Sequence, residues 1–242
     1  MTAERRHVLA IGGMGGPGQP QVRIPPLLGY ALELSGVAAP RTCVLNTAMG
    51  DDPGSFLRMY SLLAAAGARP SHLQLFPMPS TADPAGLLLA QDVIFVGGGS
   101  VANMMAVWQV HGLGPVLRAA WEAGIVLAGV SAGALCWFEG GTTDSFGPVL
   151  RPFTAGLGLI SGSYCPHYSS EPARRPAYRA LVADGTLAAG IACDDGAAAH
   201  FAGDALAEIV SDRPGARGYR VEPAGTGATE TPLPARLLGG AP

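Results

Sequence analysis

The 242-residue chain reads as an α/β protein with a mostly parallel sheet sandwiched by helices. Three observations predict that class. Short β-rich apolar runs alternate with longer Ala- and Leu-rich segments up to about residue 144. The run Ile125–Val130 is apolar throughout, as expected of a strand covered on both faces. Glycine clusters follow the runs that end at Ile11 and Val96, where a parallel strand must turn and lead into a helix.

Taken in order, Val8–Ile11 is the opening strand and Pro26–Leu34 a helix. Cys43–Leu45 is a strand that ends in Asn46-Thr47-Ala48, and Ser55–Ala66 is helical. Leu73–Phe76 and Val93–Val96 are further short strands; Val101–Val110 and Gly114–Ala123 carry helical spacing, and Ile125–Val130 closes the regular part. From Ser145 the pattern loosens. Leu157–Ile160, Ile191–Cys193, Ala197–Phe201 and Ala207–Val210 read as strands, the last two as a hairpin around Ala202-Gly203-Asp204, and Arg175–Asp184 as a helix. Beyond residue 222 the chain is dense in Pro, Gly, Thr and Ala, so one domain over residues 1–222 and a flexible tail over 223–242 are expected.

Composition narrows the function. Thirty-five glycines and 21 prolines make a turn-rich chain, but 48% hydrophobic against 14% charged residues allows burial to offset the entropy of ordering. The net charge is −3 and all fifteen basic residues are Arg. A mildly acidic chain without a basic stripe makes nucleic acid an unfavourable partner. Cys43, Cys136, Cys165 and Cys193 are far apart, with no CxxC pair, which points to free thiols in a reducing compartment rather than to structural zinc. Only four apolar residues precede the first glycines, too few for a signal-peptide core, and no run approaches the ~20 apolar residues of a membrane helix. The expectation is a cytoplasmic protein, on no membrane and without a cofactor, with a homodimer as its protein partnership.

Three segments can carry chemistry. Gly12–Gly18 contains Gly13-x-Gly15-x-x-Gly18, the dinucleotide fingerprint, but no acid closes the second strand and Pro17 and Pro20 interrupt the helix start. A glycine-rich loop beside an active site fits better. Gly129-Val130-Ser131-Ala132-Gly133 follows an apolar strand and leads into a helix-compatible segment, the form of a nucleophile elbow. There the serine hydroxyl is exposed at a strand end and the Ala132 amide points at a developing oxyanion. Gly97-Gly98-Gly99-Ser100 follows another strand and can supply the second oxyanion donor, with Gly99 the first choice.

A serine needs a base. Of His7, His72, His111, His167 and His200, only His167 lies on a loop just after a short apolar run, among polar and aromatic neighbours. The orienting acid is open at this point: Asp194-Asp195 follows the Ile191–Cys193 strand, and Asp144 in Thr142-Thr143-Asp144 competes.

These pieces together resemble the peptidase E (aspartyl dipeptidase) and cyanophycinase family of serine peptidases. VGGGS, GVSAGA, TTD, CPHY and DDGAA occur in the family's order across about residues 8–210. The resemblance implies a fold like the class I glutamine amidotransferase domains (flavodoxin-like), with serine in place of the cysteine nucleophile. It puts the nucleophile on Ser131, the base on His167 and the acid on Asp195, where members can carry Glu; Asp144 matches a further family acid. It also implies a small peptide substrate with an N-terminal aspartate preference, for which Arg174 and Arg175 are the available cations. The order Ser131, His167, Asp195 differs from the Ser–acid–His order of α/β-hydrolases. Two other readings stand beside the peptidase: an α/β-hydrolase-type esterase, which favours Asp144 as the acid, and a non-catalytic binding protein that kept the elbow.

Overall fold

The computed structural model describes residues 6–14 and 24–239. The chain starts with β1 (His7–Ile11), α1 (Pro26–Glu33) and β2 (Arg41–Leu45), then a 3-10 turn at Thr47–Met49. α2 (Pro53–Ala65), β3 (Arg69–Leu73), α3 (Pro84–Leu89), β4 (Val93–Val96), α4 (Val101–Val110) and α5 (Leu113–Glu122) follow. Local chemistry starts these helices. Asp52, Asp83 and Ser100 cap α2, α3 and α4 by accepting from the amides of Ser55, Gly86 and Asn103, and Pro53 and Pro84 occupy first-turn positions where no amide proton is needed.

β5 (Val126–Val130) leads directly into the one-turn α6 (Ala132–Leu135). Next come β6 (Phe138–Thr143), β7 (Arg151–Phe153), β8 (Ile160–Cys165), α7 (Arg174–Ala183) and β9 (Gly190–Cys193). The chain closes with β10 (Ala197–Ala202), β11 (Ala205–Ser211), β12 (Gly218–Ala224), β13 (Gly227–Leu233) and β14 (Ala235–Leu237).

Two sheets result. The larger runs β14-β11-β10-β1-β5-β4-β2-β3, with β1, β5, β4, β2 and β3 mutually parallel and the β10–β11 hairpin added antiparallel to β1. Its strands alternate between two cores. Leu9, Ile11, Val44 and Phe95 pack under α1 and α2; Val8, Ala10, Leu45 and Ile94 pack with α3 to α6. Burial on both faces is why these runs are apolar without alternation.

The smaller sheet, β13-β12-β9-β8-β6-β7, was not legible as a unit. Phe138, Ile160, Tyr164 and Ile191 join the core shared with α4 and α5, and α7 covers its other face through Tyr178 and Val182 on Tyr168 and Tyr219. The Tyr164 hydroxyl donates to the Ala10 carbonyl at 2.9 Å, and Gly13 bridges to Asp195 in parallel. The carboxyl ends of β1, β5, β8 and β9 are thereby drawn together.

Three expectations are corrected. The strand expected at Leu73–Phe76 is Arg69–Leu73, because this edge strand buries only Leu73 fully and its apolar signal lies past its end. The strand expected at Leu157–Ile160 starts where that run stops and continues through Ser-Gly-Ser-Tyr-Cys. The tail expected from 223 carries strands instead: β12 and β13 pair antiparallel from Gly218↔Leu233 to Ala224↔Gly227, and β14 pairs with β11. β13 is an edge strand exposed along much of its length, so it needs few large apolar side chains and composition alone misses it.

Candidate active site

Ser131 links β5 to α6 with φ 55° and ψ −114°, a conformation in which its side chain leaves the sheet at the strand's carboxyl end. The Ser131 amide donates to the Ile11 carbonyl at 3.0 Å, and its own carbonyl accepts from Ala134 and Leu135. The flanking glycines are steric requirements. A Cβ on Gly129 would overlap the Gly133 carbonyl, and one on Gly133 would overlap the carbonyls of Val96 and Gly97. Small neighbours let the tight turn pass between strands.

His167 follows β8, also at positive φ (54°), and is pinned from two sides. Its amide reaches the Gly12 carbonyl at 3.3 Å and its carbonyl accepts from the Glu171 amide at 3.1 Å. Asp195 follows β9, and the next residue, Gly196, bends back at φ 79° to donate to the Gly13 carbonyl at 2.8 Å. The three side chains form one line: His167 Nε2 lies 2.9 Å from Ser131 Oγ, and His167 Nδ1 lies 2.7 Å from Asp195 Oδ1. An ionised carboxylate only accepts, so Nδ1–H donates to Asp195 and Nε2 is left to accept from the serine hydroxyl. Burial raises the Asp195 pKa, but the hydrogen bond and charge of His167, with Ser170 and Arg213 behind them, outweigh it and hold this acid below its usual value.

The Gly97–Ser100 turn stands beside the serine. A Cβ on Gly98 would come 3.3 Å from the Ser131 Cβ, while Gly99, at φ 129°, has no room for one against the Ala48 carbonyl. The amides of Gly99 and Ala132 donate to no acceptor among the described residues. Of the two residues, Gly99 lines the cleft that opens on Ser131, and Ala132, next to that serine in the chain, is buried.

Gly99, Ser100, Ser131 and His167 line a cleft of about 370 Å³ together with Asp144, Ser145, Glu171 and Arg174. Asp144 is 60% exposed and stands 3.6 Å from Arg174, whereas the Nδ1 of His167 is taken by Asp195. Arg174 reaches the cleft from a nearly buried position. Arg175 does not line it: its guanidinium pairs with Glu230 and lies over the rings of Tyr168 and Tyr219, which corrects its expected place among the substrate ligands. Asp194 is buried, accepting from the Arg217 amide and the Tyr219 hydroxyl, so the two adjacent acids divide between sheet and site.

Sequence reasoning missed two residues here. A Cβ on Gly13 would overlap Asp195 Oδ1 and approach His167 Nδ1, so Gly13 must be glycine for that hydrogen bond to form. The glycine loop was the signal; its Gly15 and Gly18 lie outside the described residues. Glu171, which also lines the cleft, had no signal at all.

The family model described as Peptidase family S51 matches residues 13–209. A Bacillus subtilis (strain 168) protein named uncharacterized peptidase YgaJ is 44% identical over 234 residues, which cover 97% of this chain and all of that one. Among solved structures, a peptidase from an acI-B1 Actinobacterium superposes with a TM-score of 0.66 at 16% identity, covering 95% of this chain and 94% of that one. A putative peptidase E protein from Listeria monocytogenes EGD-e superposes at 0.60 with 15% identity, covering 86% and 98%. The last two similarities show a shared fold. A family match spanning most of the chain and a full-length relative at 44% identity go further: the chain belongs to peptidase family S51, the peptidase E family, and is a serine-type peptidase.

Proposed function

We propose that Ser131, His167 and Asp195 carry the peptidase reaction, and that the substrates are small peptides cleaved through an acyl-enzyme. The observation that carries this reading is the unbroken hydrogen-bonded line from Asp195 through His167 to Ser131, whose imidazole and serine line a cleft. His167 takes the Ser131 proton as Oγ attacks the scissile carbonyl; the Gly99 and Ala132 amides receive the oxyanion, each such donor typically contributing ~100–1000-fold. His167 then gives the proton to the leaving amine, and water, deprotonated by the same imidazole, releases the acid. Asp195 holds the imidazole with its proton on Nδ1 and stabilises its charged form.

A cleft near the lower end of the ~300–1,000 Å³ range of small-ligand sites supports short peptides. An N-terminal aspartate preference needs a free cation in the cleft, and Arg174, the one that lines it among the described residues, is already paired with Glu171. The esterase alternative asks for the acid between the serine and the histidine in the chain, and the partner of His167 is Asp195 rather than Asp144. Among the described residues no helix is long and apolar enough to cross a membrane, and the four cysteines are buried free thiols, which supports a cytoplasmic setting. Hydrolysis of Asp-Leu, Ala-Leu and a short-chain ester by wild type and Ser131→Ala tests the reading. Peptide hydrolysis that vanishes in the variant supports it; equal turnover by both removes Ser131 from the reaction.

A further inference from the structure

Among the described residues the cleft contains one guanidinium, and that guanidinium is already occupied. Arg174 Nε donates to Glu171 Oε2 at 2.5 Å, and Nη1 donates to the Thr142 carbonyl at 3.0 Å. Nη2 is left facing Asp144 Oδ1 at 3.6 Å, and the whole side chain is only 4% exposed. A carboxylate is held tightly by arginine through two parallel N–H···O bonds along one edge of the fork. Each Arg174 edge has a nitrogen committed to Glu171 or to Thr142, or faces Asp144. Among the described residues no second cation lines the cleft, and the neighbouring Arg175 is held by Glu230.

Charge points the same way. Apart from His167, the charged side chains that line the cleft among the described residues are Asp144, Glu171 and Arg174: two carboxylates and one guanidinium, a formal −1. The guanidinium is buried behind the carboxylates, while Asp144 and Glu171 are 60% and 44% exposed. An incoming group meets acid first. Glu171 is also fixed relative to the base, because its amide donates to the His167 carbonyl and its carbonyl accepts from the Arg174 amide at 2.9 Å.

Resting on the serine-peptidase reading of this cleft, we propose that Glu171 is a specificity-determining residue: its carboxylate sits where a substrate carboxylate would bind Arg174. Together with Asp144 it turns this end of the cleft into a site for a cationic group. The substrate class is a short peptide whose ammonium or basic side chain lies against Asp144 and Glu171, and an acidic N-terminal residue is disfavoured by like charge.

Equilibrium binding of Lys-Leu, Ala-Leu and Asp-Leu to the Ser131→Ala protein tests this without turnover. Lys-Leu and Ala-Leu are expected to bind at least about tenfold more tightly than Asp-Leu, and Glu171→Gln in the same background is expected to raise Asp-Leu affinity relative to Ala-Leu by about tenfold or more. Asp144→Asn is expected to weaken Lys-Leu selectively, which gives a second variant should Glu171→Gln fold poorly. Tightest binding of Asp-Leu with Glu171 in place, an unchanged Asp-Leu to Ala-Leu ratio after Glu171→Gln, or no binding of any of the three overturns the proposal. These ratios are independent of the hydrolysis comparison above, so loss of the peptidase reading and loss of this one appear in different measurements.

Discussion

His167 Nε2 reaches Ser131 Oγ at 2.9 Å across 36 residues of chain, and both residues hold positive φ, 54° and 55°. Neither is glycine. A side chain in that region costs on the order of 1–3 kcal/mol, and here two such costs fall on the two atoms that meet. Strain of this kind persists only where surrounding structure over-determines it: the glycines around Ser131, the Ile11 carbonyl at the end of β1 and the Gly12 carbonyl just after it supply that constraint.

Ser131→Ala is expected to lower kcat by ~10⁶-fold with the fold retained, as when a serine nucleophile is removed from an acting unit. Ser131→Gly is expected to be equally inactive yet no less stable than Ser131→Ala, because glycine accepts a φ of 55° without a Cβ penalty. Thermal melting and peptide hydrolysis on the two variants check this; a Ser131→Gly protein that melts well below Ser131→Ala refutes the strain.

Asp195→Asn is expected to cost about 10⁴-fold in kcat, because an amide leaves the imidazole proton on the wrong nitrogen. Asp144→Asn is expected to leave kcat within about tenfold and to act on KM, since Asp144 faces Arg174 and not His167. Steady-state kinetics on both variants decide it, and the reverse ranking would transfer the acid's role to Asp144.

Gly13→Ala is expected to reduce kcat by about 100-fold or more while lowering stability only modestly, because the added methyl displaces Asp195 from His167 rather than filling core. Near-normal kcat in a folded Gly13→Ala protein would show that the hydrogen bond re-forms around the methyl.

Stability is expected to fall as pH drops below neutrality, through residues that do not line the cleft. His200 is buried, with Nε2 3.0 Å from His7 Nδ1 and Nδ1 3.0 Å from the Tyr30 hydroxyl. Burial, then the charge of His7, push its pKa from 6.5 down to about 4, with Glu208 opposing and Arg236 adding. The unfolded chain therefore binds the proton first, and the stability given by neutral His200 is lost as pH falls from 6.5 to about 4. Glu208, held at about 2 chiefly by its hydrogen bond to Arg236, extends the loss from 4.5 downward. Melting temperature against pH should be flatter between 6.5 and 4 in His200→Asn, and flatter below 4.5 in Glu208→Gln. Slopes equal to wild type in both variants would sink the assignment.

Much of this molecule could be read before any coordinates. Val8–Ile11, Val93–Val96 and Ile125–Val130 are apolar without alternation because helices cover both faces of their sheet, so they announce a parallel α/β layer. Gly129, Ser131 and Gly133 announce the elbow because only small residues survive between neighbouring backbones. His167 and Asp195 were legible as candidates because each follows an apolar run at a strand end. The second sheet was not, because β6, β7 and β8 are rich in Gly, Ser, Thr and Pro, and an edge strand such as β13 buries little.

What the sequence determined by itself was therefore local: which segments are buried strands, and where chemistry-bearing side chains leave them. Which acid meets His167, that Gly13 must make room for that contact, and that Glu171 already holds Arg174 were decided only when two sheets docked through Gly13 and Asp195. Those choices depend on distances of a few ångströms between residues far apart in the chain, and hydrophobic periodicity reports only neighbours along it.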